Sequence, residues 1–311
     1  MQFEVGAQLA ARYGLDPDGC AGAPFGERPW HRARYVVRAP GPDEPVEIAT
    51  VRIRSWHNLG NMVYQLLHAL AFAERRDIAA VSGPATPWFR PGTVAGVRLS
   101  FGTPFERPAL AGHYFYPQPL GIEEPWRQEH HLLGLRALFT VEPDLTVTTD
   151  EMVVHLRSGD VFGTDPHPDY RPPALGYYTS AITHAGPGAV RLVCQDRVHP
   201  LLRPLQAWCE ASGVRTDVQV SDDLRADMAT LISATTLCIS QGTLGLSAGW
   251  LSPMVRSVYL PRGTHVAELR SLGVRVFEAE VPAPGGPWTA SPEQVATLVR
   301  ERGPVPLHEI G

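Results

Sequence analysis

The sequence predicts an α/β fold of two consecutive units, residues 1–150 and 151–311, and three observations support this prediction. Apolar strand-like runs alternate with helical patterns in both halves, which is typical of parallel sheets covered by helices. The chain has 311 residues, of which 44% are hydrophobic, enough for two cores of ordinary size. Polar loops follow several strands, and ligands of such sheets bind beyond the carboxyl ends of the strands.

The first unit opens with a strand, a loop and a helix. Residues 49–54 (ATVRIR) alternate as a strand, SWHNLGN follows as a loop, and residues 62–76 have apolar positions at helical spacing. Residues 78–81 are predicted to form the next strand. Residues 84–135 are rich in proline and aromatic residues and predict loops and short strands, either an active-site rim or an irregular packing region.

A second alternation of strands and helices starts near residue 151. Its strands are predicted over residues 152–156, 190–194, 218–220, 236–239 and 255–260. Its helices are predicted over residues 177–184, 201–211, 224–234, 245–251 and 291–302. The last helix begins with Ser291 as N-cap and Pro292 in its first position, and we expect it to pack back on the N-terminal domain.

Composition and charge exclude several classes of protein. A net charge of −5 argues against a general nucleic-acid binder. The four cysteines lack metal-ligand spacing, and Cys194 and Cys238, which lie in apolar runs, are predicted to be reduced core thiols. The first residues do not have the pattern of a signal peptide, and no apolar stretch approaches the ~18 residues that cross a bilayer. We therefore expect a soluble, cytoplasmic protein without a membrane span.

Asn58 and Asn61 are the only asparagines of the chain, and both lie in WHNLGNMVYQ. All 27 basic residues are arginine, a bias typical of GC-rich coding sequences that also depletes asparagine. Two asparagines in one loop therefore indicate chemistry there. Asn61 follows Gly60, which permits close approach of a ligand to the backbone, whereas Asn58 is predicted to shape the turn.

The loop after residues 152–156 begins with HLRSGD and offers an anion site. Arg157 presents a planar fork that suits phosphate oxygens. Asp160 either holds that fork for an anion or closes the turn as a strand-end salt bridge. A metal site of His155 and Asp160 lacks a third ligand at a suitable spacing. Further along, HPDYRPP is expected to be a stiff proline loop.

SQGTLGLSAGWL follows the strand predicted over residues 236–239. Ser240, Gly242 and Thr243 lie between that strand and a helix, where backbone N–H groups and hydroxyls suit an anion. The alternative is an ordinary turn with a Ser/Thr cap. Combined with Arg157, the segment favours a pyrophosphate pocket, although Walker A and GxGxxG motifs are absent.

Five segments, in order over residues 56–252, resemble a known family. LGNMVYQLLHALAFAERR is similar to an LGNQ-plus-helix segment, and HLRSGDVFGTD is similar to an HxRRxD motif. GYYTSAI, LVCQD and DMATLISATTLCISQGTLGLSAGWLS follow in the same order. The family is that of the α-1,2-, α-1,6- and protein O-fucosyltransferases. The chain departs from its motifs at Ser158, in place of the second arginine, and at Met62, in place of glutamine.

The resemblance implies a GT-B-like fold, α/β, with two Rossmann-like domains whose parallel sheets face a central cleft. Residues 1–150 would be the acceptor-side domain with the LGN loop, and residues 151–311 the nucleotide-sugar-binding domain. The implied reaction moves fucose from GDP-fucose to an acceptor hydroxyl with inversion, without a metal or another cofactor. The implied partners are a nucleotide-sugar donor and a carbohydrate or small-molecule acceptor. The composition typical of GC-rich coding sequences, in a short chain, fits decoration of bacterial cell-surface glycans or of secondary metabolites.

The resemblance and the loop chemistry together assign roles to individual residues. Asp165 is the first candidate for the catalytic base and Asp160 the second, while Arg157 offsets charge on the leaving diphosphate. Trp56 and His57 are weak candidates for the acceptor site. Donor contacts are predicted for His155, Arg157, Asn61, Gly60, Asp227, Ser240, Gly242, Thr243 and Asp196.

Other functions remain open on the sequence. The chain is alternatively a non-catalytic nucleotide-sugar- or carbohydrate-binding relative, or a transferase that uses another nucleotide sugar. A phosphatase or an esterase is ranked last among the alternatives.

Overall fold

The computed structural model describes residues 3–4, 36–38, 47–56, 58–103, 108–112, 114–115, 129–168, 170–263, 267–281 and 286–310. It divides into two compact units, Met1–Thr140 and Val141–Gly311. This division falls before residue 150, where the sequence predicts the boundary. None of the helices in the described ranges has the length and apolarity needed to cross a membrane.

The N-terminal unit contains a mixed sheet. Its described strands are β1 (Phe3–Glu4), β2 (Val36–Arg38), β3 (Thr50–Ile53), β4 (Ala80–Gly83), β5 (Gly92–Val94), β6 (Val97–Phe101) and β7 (Ala109–Gly112). Their order in the sheet is β1-β2-β7-β3-β4-β6-β5, and the pairs β7–β3, β3–β4 and β4–β6 are parallel. The described helices are α1 (Leu59–Arg75) and α2 (Glu129–Leu138).

Helix α1 begins three residues earlier than the hydrophobic pattern predicts. Asn58 is its N-cap, and its side-chain oxygen accepts a hydrogen bond from the backbone N–H of Asn61 at 2.8 Å. Gly60 and Asn61 therefore belong to the first helical turn rather than to the predicted loop. The helix is buried along most of its length, and its buried residues include the polar Gln65 and His68 beside the apolar ones.

The C-terminal unit is built on a parallel sheet with one antiparallel edge strand. Its described strands are β8 (Glu151–Leu156), β9 (Ala189–Cys194), β10 (Arg215–Val220), β11 (Thr236–Ile239), β12 (Ser257–Pro261), β13 (Arg275–Ala279) and β14 (Leu307–Ile310). Their order is β10-β9-β8-β11-β12-β13-β14, and β14 alone of these runs antiparallel to its neighbour. The described helices are α3 (Leu175–Ala185), α4 (Leu202–Ala211), α5 (Leu224–Ser233), α6 (Thr243–Leu251), α7 (Ala267–Ser271) and α8 (Pro292–Arg300).

The central strand β8 is buried at every position, as expected for a parallel strand covered on both faces. Met152, Val154 and Leu156 of this strand belong to a core that also contains Tyr177 and Trp288. Cys194 and Cys238 are buried free thiols, which confirms the prediction for both. The predicted α/β class with parallel-dominated sheets is likewise confirmed.

Six described elements have no counterpart in the sequence prediction: β1, β2, α2, α7, β13 and β14. The irregular region predicted over residues 84–135 contains β5, β6, β7 and the start of α2. Helix α8 packs against α3, and its Leu298 joins the core of the C-terminal unit. The expected packing of this helix on the N-terminal domain stays a prediction.

Candidate anion site at the carboxyl edge of the C-terminal sheet

The carboxyl ends of β8 and β11 lie side by side, with Ile239 paired opposite His155. From β8 the chain continues to β9 on one side, and from β11 it continues to β12 on the other side. The strand order therefore reverses between β8 and β11. Sheets of this type bind ligands in the crevice at such a reversal, so the loops that begin at Arg157 and Ser240 border the predicted binding edge.

Arg157 connects these two loops. Its backbone N–H donates to Ser240 Oγ at 3.2 Å, and its Nη1 donates to the Gln241 carbonyl oxygen at 3.5 Å. Its Nη2 donates to Asp160 Oδ2 at 2.8 Å, and its guanidinium carbon lies 4.2 Å from the centre of the Tyr170 ring. The Arg157 side chain is still 21% exposed. The guanidinium is thus oriented by its neighbours and accessible to an anion.

Glycine residues allow helix α6 to begin close to Arg157. Gly242 is the N-cap of α6 and has a φ of 133°, and a Cβ atom at this position would overlap Arg157 Nη1. A Cβ on Gly245 would lie 3.2 Å from His155 Nδ1. The first turn of α6 holds no acidic residue. The partial positive charge at the N-terminus of α6 therefore lies beside the Arg157 guanidinium, and the two together favour binding of an anion.

Two buried histidines support the arginine loop. Burial, with the charges of Arg157 and His199, lowers the pKa of His155 to about 4, and its Nδ1 has no hydrogen-bond partner among the described residues. Burial also lowers the pKa of His199 to about 4. Because His199 Nδ1 accepts from the Leu201 N–H, its Nε2 donates to the Arg157 carbonyl oxygen at 3.1 Å. Both imidazoles are therefore neutral near pH 7.

Asp196 holds the loop that follows β9. Its Oδ2 accepts a hydrogen bond from Ser158 Oγ, and its Oδ1 accepts from the Val198 N–H at 3.0 Å. The Cys194 thiol donates to the Asp196 carbonyl oxygen at 3.3 Å. Ser158, where the family motif has its second arginine, is thus connected to the next strand-end loop. Asp196 has a bracing role here, and its contact with a donor stays a prediction.

Asp227 is a buried carboxylate on α5. It is 8% exposed, and Gln219 Nε2 donates to its Oδ1 at 2.9 Å. Gln219 is held in turn by Thr230, whose hydroxyl donates to its Oε1 at 2.8 Å. Burial raises the pKa of Asp227 to about 6, and the Asp223 charge adds to this effect, while the Gln219 hydrogen bond opposes it. Asp227 is thus a carboxylate that titrates near neutrality.

The two candidate bases have different surroundings. Asp160 lies in the short 3₁₀ helix Gly159–Phe162 and forms the ion pair with Arg157. Asp165 lies in the turn that follows and is exposed. Among the described residues no hydrogen bond or ion pair is found for Asp165. Of the two carboxylates, Asp160 is therefore the one held beside the guanidinium.

A depression of about 160 Å³ lies beside the guanidinium. Arg171 contributes a second cation to its wall, and the Arg171 N–H donates to Gln241 Oε1 at 3.1 Å. The recess thus has charged and polar groups in its wall beside the Arg157 guanidinium, which suits an anion. Its wall is formed by Arg157, Val161, Tyr170, Arg171, Pro172, Ser240 and Gln241.

The candidates of the N-terminal unit have structural contacts of their own. Trp56 donates from Nε1 to the Pro84 carbonyl oxygen at 3.3 Å and packs over Gly83, where a Cβ atom would overlap its ring. Asn58 caps α1, which agrees with the turn-shaping role expected for it. The other weak acceptor candidate, His57, lies outside the described residues. Binding roles for Gly60 and Asn61 stay predictions.

Sequence reasoning missed His199 and the stacking of Tyr170 on Arg157. His199 lies in DRVHP, directly after the strand-end loop of β9, so its place beyond a strand end was a usable signal. Tyr170 belongs to the proline loop to which the sequence analysis gave a stiffening role. Its contact with Arg157 depends on the fold of residues 163–172, which no local pattern specifies.

No protein-family model matches the sequence, and no curated protein matches it. Among solved structures, POFUT1 in complex with GDP is similar with a TM-score of 0.43 and 12% identity, over 70% of this chain and 99% of that chain. ADP-heptose LPS heptosyltransferase II of E. coli is similar with a TM-score of 0.41 and 12% identity, over 82% and 99% of the two chains. A family 9 glycosyl transferase of Veillonella parvula has a TM-score of 0.39 and 8% identity, over 82% and 98%. These likenesses are weak, and the chemistry of the site is therefore taken from its own residues.

Proposed function

We propose that the chain is a glycosyltransferase that binds the diphosphate of a nucleotide sugar at Arg157 and the start of α6. The observation that supports this most directly is the position of the Arg157 guanidinium. It lies at the reversal of strand order, against the N-cap Gly242, and is held by Asp160 and Tyr170. A guanidinium, a helix N-terminus and a second arginine suit a diphosphate better than a single monoanion.

In the proposed reaction, negative charge grows on the leaving diphosphate as the glycosidic bond breaks. Arg157 and the first turn of α6 offset that charge, and oriented groups of this kind each contribute about 3 kcal/mol to transition-state stabilisation. His155 is neutral and offers a hydrogen bond without adding charge. The reaction is assigned as inverting and independent of metal, with Asp165 accepting the proton of the acceptor hydroxyl.

The proposed donor is GDP-fucose. This finer assignment rests on the motif resemblance, in which Asp227 would accept hydrogen bonds from the guanine edge. Its burial and its bond from Gln219 give this carboxylate a fixed orientation, as base recognition requires. Other nucleotide sugars are the alternative, and a comparison of GDP with UDP and ADP distinguishes them.

Thermal shift measurements test donor binding. GDP at roughly 100 times its Kd is expected to raise the melting temperature by about 5 °C, because binding to the native state alone adds about 2.7 kcal/mol. Arg157→Ala should abolish the shift. Arg262→Ala is the matched control, since Arg262 forms an exposed ion pair with Glu280 at 2.7 Å. A wild-type protein that responds to none of the three nucleotides would overturn the proposal.

Release of GDP from GDP-fucose tests catalysis without knowledge of the acceptor. Asp165→Asn is expected to lower kcat for donor hydrolysis by about 100-fold or more, with little change in KM. Asp160→Asn should instead raise KM, because Asp160 orients Arg157. Nucleotide binding without any turnover of the wild type would favour the second candidate, a non-catalytic binding relative, for which the exposure of Asp165 is the supporting observation.

A further inference from the structure

Three side chains with metal-ligand chemistry meet in the N-terminal unit. Glu74 lies in the last turn of α1, and His130 and His131 lie in the first turn of α2. One ligand atom of each of the three lies within 4.8 Å of the others. The two helices thus bring together residues that are 56 positions apart in the chain.

The distances between these atoms agree with those around a bound metal ion. His130 Nε2 lies 3.1 Å from Glu74 Oε1 and 3.3 Å from Oε2, and His131 Nε2 lies 3.1 Å from Oε2. Around tetrahedral Zn²⁺, bonds of about 2.0–2.1 Å separate neighbouring nitrogen and oxygen ligands by about 3.3 Å. The two imidazole rings lie with their centroids 4.3 Å apart, and both contact the Glu74 carboxylate.

His131 is the second, independent observation. Its side chain is fully buried. Its Nε2 faces Glu74 Oε2 at 3.1 Å, whereas its Nδ1 has no partner among the described residues. Buried polar atoms are normally paired, so a buried imidazole with one unpaired nitrogen and the other against a carboxylate requires an explanation. Two side chains that bind the same metal ion have their ligand atoms at about this separation.

We propose that Glu74, His130 and His131 bind one divalent transition-metal ion of the Zn²⁺ type. Two imidazoles and a carboxylate suit such an ion and do not suit Mg²⁺ or Ca²⁺, which prefer oxygen ligands. The side chains of His130 and Glu74 are 49% and 37% exposed, so a fourth position is open to water. The ion joins the end of α1 to the start of α2 and stabilises the N-terminal unit. This site is separate from the donor site proposed above and does not depend on it.

Metal titration of chelator-treated protein without a polyhistidine tag tests the site. Isothermal titration with Zn²⁺ is expected to give one site per chain and a higher melting temperature, and Mg²⁺ should give neither. Co²⁺ should produce the visible absorption of a low-symmetry complex with nitrogen ligands. Absence of stoichiometric Zn²⁺ binding would overturn the proposal and leave the three residues as an ion-pair cluster.

Variants assign the binding to these residues. Glu74→Gln and His130→Ala should each weaken Zn²⁺ binding by at least about tenfold, since loss of even an outer partner costs that much. Both side chains are partly exposed, so circular dichroism of the metal-free variants should match that of the wild type. His308→Ala is the matched control, because His308 lies 3.6 Å from Glu280 in an exposed pair. Zn²⁺ affinity that is unchanged in both ligand variants, or lowered equally in the control, contradicts the assignment.

Discussion

At the scale of single residues, the candidate donor site depends on contacts that hold Arg157 in one orientation. Asp160 and Tyr170 fix the guanidinium, and His199 binds the carbonyl oxygen of the same residue. Exposed ion pairs contribute only about 0–1 kcal/mol to stability. The Arg157–Asp160 pair is therefore better explained by orientation of the arginine than by stabilisation of the fold.

Gly242→Ala tests this orientation. A methyl group at residue 242 would displace the guanidinium, and its backbone conformation is one that glycine tolerates best. We expect GDP affinity, measured by calorimetry, to fall about tenfold or more. Gly213→Ala is the control: Gly213 has a φ of 73° and open space around it, so this variant should lose about 1 kcal/mol of stability through backbone strain and keep its affinity. Equal GDP affinity in both variants would mean that the close approach of residue 242 to Arg157 is not needed for GDP binding.

The raised pKa of Asp227 predicts that the stability of the fold depends on pH. This pKa is raised from 3.8 to about 6, so the folded protein binds this proton more tightly than the unfolded chain does. Protonation of Asp227 therefore adds to the free energy of unfolding. This contribution is fully present below about pH 4 and is lost as the pH rises through 6. Asp227→Asn should therefore raise the free energy of unfolding at pH 7 by up to about 3 kcal/mol, and by little at pH 4.

Urea unfolding across this pH range measures the effect. Asp222→Asn removes a neighbouring exposed carboxylate and serves as the control. A destabilised Asp227→Asn protein at pH 7 would mean that the carboxylate is stabilising when charged. Under the proposed function the same variant also loses GDP affinity, so stability and binding should change in opposite directions.

At the scale of elements, helix starts carry most of the candidate chemistry. Helix α1 is capped by Asn58, whereas α6 begins at Gly242 without a side-chain cap. A helix without a capping side chain suits an anion at its first N–H groups, because a cap would compete for them. The turn-shaping role expected for Asn58 agrees with its place as N-cap, but the sequence analysis placed Asn61 in a loop that is in fact helical.

The two asparagines are expected to differ in measurable ways. Asn58→Ala should lower the free energy of unfolding by about 1 kcal/mol, because it removes the bond to the Asn61 N–H. Asn61→Ala leaves the cap in place and, under the proposed function, impairs donor turnover instead. Chemical unfolding and donor hydrolysis assays on both variants check this. A stability loss in Asn61→Ala as large as in Asn58→Ala would remove the distinction.

At the scale of the whole molecule, each unit has its own sheet and its own candidate site. The anion site uses residues of Val141–Gly311, and the proposed metal site uses residues of Met1–Thr140. The C-terminal sheet reverses its strand order once, between β8 and β11, and the loops beyond that point contain Arg157 and Ser240. The fold thereby brings together residues that are 83 positions apart.

Hydrogen exchange with and without GDP tests this arrangement. GDP is expected to slow exchange of backbone amides in residues 157–163 and 240–246, because both loops border the same crevice. The edge strand β5 of the N-terminal unit and its neighbour β6 should be unaffected, and they provide the internal reference. Protection confined to one of the two loops would mean that they do not form a single site.

The sequence by itself determined the α/β class, the central strands, the buried thiols and the polar loops after strands, because period and residue type are local properties. It did not predict α2, whose amphipathic pattern is short and follows a proline-rich stretch. The tertiary structure alone decided which side chains meet. Strand order joined Arg157 to Ser240, and helix packing joined Glu74 to His131. Such contacts depend on how elements pair in space, and a single sequence carries no local signal for that pairing.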